Sequence, residues 1–224
     1  MAAGDPAEPE ARAALAALCG RYWYPLYAFI RRRGHDPVSA EDLVQGFFAA
    51  LLEKDGLSTV DRSKGRFRSF LMAACSHFLS NRRDHDRALK RGRGRVFVPI
   101  DALEAEDRYQ REPTHELTAE RLFERRWATT LLDHVLEQLE LEMSAAGKAR
   151  QFEALRPTLI GSVDKVPYAR IAAVLECTQS AARLAAHRLR TRYRTLLRQE
   201  VARTLADPGA LDDEIRNLFA AFTG

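Results

Sequence analysis

YARIAAVLECTQSAARLAAHRLRTRYRTLL, Tyr168 to Leu197, is written as a short helix, a three-residue turn and a longer helix studded with arginine. Ile171, Ala172 and Leu175 form the apolar side of the first helix, and Thr178 stands where its hydroxyl can cap the second. Ala181, Ala182 and Ala185 are small enough for two helices to cross closely, with Leu184 and Leu189 as larger contacts. Two helices joined by such a turn match the motif whose second helix enters the major groove of DNA. Gln179, Ser180, Arg183, His187 and Arg190 then face the groove. Gln suits an adenine edge, and Arg suits guanine or phosphate. The same letters also describe two core helices with a solvated arginine face. Glu176 occupies a turn position where glycine is the comfortable residue.

Around this unit the composition is that of a globular chain: 224 residues, 46% hydrophobic and 29% charged. That length suits one or two domains, each with a small core. Lys and Arg total 35 against 31 Asp and Glu, a net charge of only +4, so segregation of charge matters more than its sum. Cys19, Cys75 and Cys177 are far apart, which argues against a disulfide framework or a zinc site and reads as small buried hydrophobes in a reducing compartment. No apolar run approaches the roughly 18 residues of a membrane span, and MAAGDPAEPE lacks the charge and apolar core of a signal peptide, so a cytoplasmic protein is expected. No catalytic, metal-binding or nucleotide-binding constellation stands out, and no enzyme activity or cofactor is expected.

Three helices with one shared core account for residues 11–90. The first runs from Ala11 to Arg33 with Leu15, Leu18, Tyr22, Leu26 and Phe29 or Ile30 in helical step; Pro25 predicts a kink or a break, and Gly34 a C-cap. In DPVSAEDLVQGFFAALLEK, Asp36 and Ser39 compete to cap the second helix. Its acidic face, Glu41, Asp42 and Gln45, suits a basic protein partner, though acids in a first turn also simply suit the helix dipole. The third helix keeps its period from Phe67 to Leu79, then turns basic. Arg82, Arg83, Arg87, Lys90, Arg91, Arg93 and Arg95, with Asn81, His85 and the aromatic Phe78, fit single-stranded DNA; a solvated helix end fits as well. VFVPI, residues 96–100, reads as a short strand or docking segment. From Asp101 to Glu124 acidic residues outnumber Arg108, Arg111 and Arg121, which marks an acidic linker over 96–126. Trp127 resumes an apolar helix, and LADPGALDDEIRNLFAAF adds a short amphipathic helix at the end.

With both ends laid out, nearly the whole chain resembles a bacterial RNA polymerase sigma factor of the extracytoplasmic-function type. YWYPLYAFIRRRG, SAEDLVQGFFAALLEK and GRFRSFLMAACSHFLSNRRD resemble successive helices of that family's first domain, and the stretch from Trp127 through Leu197 resembles its second. The resemblance implies an all-α fold of two small helical domains joined by an acidic flexible linker. Residues 11–95 would dock on the polymerase and bind the minus-ten strand, 96–126 would be the linker, 127–200 would carry the helix-turn-helix, and 201–224 would be a short helical extension. It implies that Asp42, Leu43, Gln45 and Phe48 dock on the clamp coiled coil of the polymerase's largest subunit. Asn81, Arg82, Arg83, Arg87, Lys90 and Arg91 would meet the melted minus-ten strand, with 84–95 capturing a flipped base. Gln179, Ser180, Arg183, His187 and Arg190 would read the minus-thirty-five duplex. The implied partners are core RNA polymerase, at its clamp and flap regions, and promoter DNA as duplex and single strand; an anti-sigma factor is a further candidate. Glu176 in place of the usual glycine and Ala182 in place of a larger aliphatic depart from the family pattern. A free-standing repressor or activator and a pure protein-interaction adaptor are the competing functions.

Overall fold

The computed structural model describes residues 7–53, 66–86, 102–111, 117–159, 167–205 and 207–223, with side chains at these positions except 7–18, 52–53, 83–86 and 102–103. Among them the regular elements are helices: α1 (Ala7–Arg32), α2 (Pro37–Glu53), α3 (Phe67–Asp86), α4 (Ala102–Gln110), α5 (Ala119–Ala145), α6 (Ala149–Leu155), α7 (Tyr168–Val174), α8 (Gln179–Ala202) and α9 (Leu211–Ala220). Extended pairing among the described residues is limited to an isolated bridge between Arg66 and Leu205. The fold is all-α, as the periodicity predicts. No helix among the described residues is long and apolar enough to cross a membrane.

The chain divides into two compact units, 1–130 with 204–224 and 131–203. The division falls inside α5, and the last twenty-odd residues belong with the first unit. Both points differ from the expected boundaries at 95, 126 and 200.

In the first unit α1 is continuous through Pro25 rather than broken there. Proline removes one backbone donor, but every residue from Tyr22 to Ile30 is buried, and that packing outweighs one lost hydrogen bond. Trp23 stacks on Tyr27 at 5.2 Å, and Phe29 meets Phe123 of α5 edge-on at 6.2 Å. Gly34 ends α1 with φ of 91°, where a side chain is disfavoured. Asp36 caps α2, taking the Ser39 N–H at 3.0 Å; the Ser39 hydroxyl donates to its other oxygen, so Asp36 and not Ser39 is the cap.

The stretch expected to be a flexible linker, 96–126, is helical and packed where it is described. Glu106 of α4 accepts from Tyr27 Oη at 2.6 Å and from both Nε and Nη2 of Arg31 at 2.8 and 2.7 Å. Glu120 pairs with Arg33 and Glu124 with Arg68. Leu122, Phe123 and Trp127 are buried beside these acids. The acidity complements the arginines at the end of α1 and the start of α3. VFVPI lies outside the described residues.

The C-terminal segment also joins this unit. The Phe67 N–H donates to the Thr204 carbonyl, and Glu214 of α9 lies between Arg66 and Arg68, with Glu214 and Arg68 only 1% and 3% exposed. The Arg68 guanidinium also lies 4.2 Å from the Trp127 ring centroid.

In the second unit Leu131, Val135 and Leu139 of α5, Phe152 and Leu155 of α6, Ile171 and Ala172 of α7, and Ala182, Ala186, Leu189, Leu196, Leu197 and Val201 of α8 are buried. The small residues read as permitting a close crossing are split: Ala182 is fully buried, while Ala181 is exposed and Ala185 half-buried.

Candidate functional site

The turn between α7 and α8 is built from backbone hydrogen bonds. The Cys177 N–H donates to Ala172 O and the Glu176 N–H to Ala173 O, which is the paired closure of a helix ending in a left-handed residue. Glu176 is that residue, with φ of 52°, among the described residues the one non-glycine with positive φ. Such a conformation costs an L-residue roughly 1–2 kcal/mol, so glycine's comfort at this position has a concrete basis. Arg150 of α6 offsets part of this by donating to the Val174 carbonyl at 2.7 Å and to Glu176 Oε1 at 3.3 Å. Thr178 caps α8, its hydroxyl accepting the Ala181 N–H at 3.2 Å. Cys177 is exposed in the turn, unlike the buried Cys19 and Cys75 and against the expectation for all three.

Gln179, Arg183, His187 and Arg190 recur every three or four residues and so share one side of α8, with Ser180 at its edge. Gln179, Ser180, Arg183 and His187 are exposed; Arg190 is half-buried. Arg190 Nε donates to the Thr158 carbonyl and Nη2 to Tyr168 Oη, both at 2.9 Å. Its fork is committed inside the unit, which sequence spacing could not reveal. The exposed Arg194 extends the same side by four residues beyond Arg190, and regular spacing alone would have found it.

At the other expected DNA contact, Asn81 and Arg82 are exposed near the end of α3. The Arg82 guanidinium lies 5.7 Å from the Phe78 ring centroid. A Cβ built on Gly46 of α2 would stand 2.7 Å from Arg82 Nη1, so the bare glycine lets the guanidinium lie across α2. Phe78 in turn meets Phe47 edge-on at 5.8 Å. The Arg83 side chain and residues Arg87, Lys90 and Arg91 lie outside the described residues.

On α2, Val38, Asp42 and Gln45 follow at i, i+4 and i+7 and form one face. Gln45 Nε2 donates to Glu41 Oε1 at 3.1 Å. Val38 is 71% exposed, an apolar neighbour to the acids that the pattern did not single out. Leu43 is half-buried on another side of the helix. Phe48 is 1% exposed and packs beside Phe47 in the core, so it holds α2 in place and cannot be touched from outside. Its docking role, which the resemblance alone implied, is corrected accordingly.

No family model, curated protein or solved structure matches this chain.

Proposed function

We propose that the chain is a sigma factor of the extracytoplasmic-function type, a non-catalytic subunit that binds core RNA polymerase, directs it to promoters and helps open the minus-ten region. The observation that carries this is the α7–turn–α8 unit. A capped helix begins at an arginine-braced turn and exposes Gln179, Ser180, Arg183 and His187 along its first turns, the arrangement a helix-turn-helix needs to read duplex bases. In this account α8 reads the minus-thirty-five duplex. The end of α3, with Asn81 and Arg82 beside Phe78, holds the melted minus-ten strand by backbone charge and stacking. The face of α2 at Val38, Asp42 and Gln45 docks on the polymerase clamp. The protein acts in the cytoplasm, without a cofactor, and an anti-sigma factor is a natural regulator.

Asp42→Arg tests the docking. Titration of fluorescently labelled protein with core polymerase should show affinity falling about ten-fold or more, since a reversed charge opposes a complementary surface. Circular dichroism should be unchanged, because Asp42 is exposed. Wild-type affinity in the variant would count against the α2 face. Tight, sequence-specific footprinting by the free protein would favour a free-standing repressor instead.

A further inference from the structure

Arg183 and Arg190 stand seven residues apart on α8, and one side chain from α7 touches both. Tyr168 receives an N–H from Arg190 on its hydroxyl at 2.9 Å, while the Arg183 guanidinium lies 5.5 Å from its ring centroid. Tyr168 itself is 9% exposed, so it belongs to the packed layer under α8 and not to the solvent side. Arg190 is held at its other end by the carbonyl of Thr158, a residue 3% exposed. A chain of contacts therefore runs from the buried Thr158 through Arg190 and Tyr168 to the exposed Arg183.

We propose that Tyr168 is a positioning residue for Arg183, and that Arg190 serves by locking Tyr168 rather than by touching DNA. This rests on α8 being a DNA-reading helix, as proposed above. An arginine free in solvent loses rotamer freedom when it pairs with a guanine edge. A guanidinium already lying on a ring whose tilt is fixed has less to lose, and its fork is aimed before DNA arrives. Arg183 thus supplies sequence discrimination, while Arg190, on the same side of the helix, supplies the fixed ring beneath it. The two arginines, alike by sequence spacing, have opposite jobs.

The test uses the full chain, free for the first of two separable readouts and bound to core polymerase for the second. The first is the 15N relaxation of the Arg183 Nε–H in the free protein. It should be ordered in wild type, less ordered in Tyr168→Phe, which keeps the ring but loses the hydrogen bond by which Arg190 fixes it, and mobile in Tyr168→Leu. The second is selection of upstream duplex from a randomised library by holoenzyme. Arg183→Ala should erase the preference at one or two adjacent base pairs. Tyr168→Leu should weaken preference at those same pairs by about five-fold, the scale of one cation–π contact, and leave other positions unchanged. Tyr168→Phe should restore only part of it, since the ring returns without its hydrogen bond to Arg190, and Tyr168→Leu combined with Arg183→Ala should be no worse at those pairs than Arg183→Ala alone. Equal weakening at every position in Tyr168→Leu would make Tyr168 merely structural and overturn the proposal. So would an Arg183 side chain as mobile in wild type as in Tyr168→Leu. An ordered Arg183 with no sequence preference in the wild-type selection would overturn the DNA-reading function of α8, and with it the role assigned to Tyr168, while leaving the ring contact itself established.

Discussion

Replacing Glu214 with alanine should destabilise the first unit. Glu214 is 1% exposed and faces two arginines, Arg66, whose Nε lies 2.8 Å away, and Arg68. Arg66 is 39% exposed and can turn to water when its partner is lost. Arg68 cannot, being 3% exposed, and among the described residues would keep Glu124, 2.6 Å from its Nε, and the face of Trp127. Burial already pulls the Arg68 guanidinium below its ordinary pKa, with the Glu124 carboxylate opposing that shift. Removing one partner of a buried ion pair costs about 3–5 kcal/mol, and the surviving Glu124 contact places this case near about 3 kcal/mol. That is a large share of the roughly 5–15 kcal/mol that holds a domain folded. Trp23 and Trp127 are the chain's two tryptophans and both lie in this unit, so urea unfolding followed by their fluorescence reports on it. The midpoint should fall by about 1–2 M. Arg68→Met combined with Glu214→Leu should recover most of the loss, because no uncompensated charge is left buried. A loss below about 1 kcal/mol in Glu214→Ala, or a double variant no better than the single, would refute the view that this ion cluster fastens the C-terminal segment.

Two further effects follow from local geometry. Glu176→Gly should stabilise the second unit by about 0.5–1 kcal/mol, since relief of the left-handed backbone exceeds the surface ion pair given up with Arg150; slower amide hydrogen exchange across α7 and α8 would register it, and faster exchange would contradict it. Glu106 is held down to about 2, first by the Arg31 hydrogen bonds and then by Tyr27 and Gln110, against 4.5 ordinarily. A depressed folded-state pKa gives stability that is present above 4.5 and lost as pH falls through about 2. The tryptophan transition should therefore weaken across that window in wild type and weaken less in Glu106→Gln; identical pH profiles for the two would contradict the assignment.

The helices were legible because their periods are: Phe67 to Leu79, or Trp127 to Met143, reads as one buried face without reference to anything else. So were the local devices, the cap at Thr178, the end at Gly34 and the strain at Glu176, since each is decided within a few residues. Partnership across the chain was not legible. Glu106 meets Arg31 from 75 residues away, and nothing in an acidic run says whether it faces water or a basic helix. The same holds for Glu214 and Arg68, which draw the C-terminal segment into the first unit. Spacing put Arg183 and Arg190 on one side of α8 but could not show that Tyr168 and Thr158 occupy the second. Phe48 was misplaced because its docking role came from the resemblance alone, and the core contact that buries it depends on neighbours distant in the sequence.

The central claim is that α8 recognises duplex while the end of α3 holds opened strand, and abortive transcription by holoenzyme on matched duplex and premelted templates tests it most directly. Arg183→Ala should lose about 5- to 150-fold on duplex, the range of one bidentate base contact, and regain little on the bubble. Arg82→Ala should bind upstream duplex as wild type does, show fewer permanganate-reactive thymines, and recover most of its activity once the template is already open. Equal rescue of both variants by the bubble, or no transcription by wild type on any promoter library, would contradict the account.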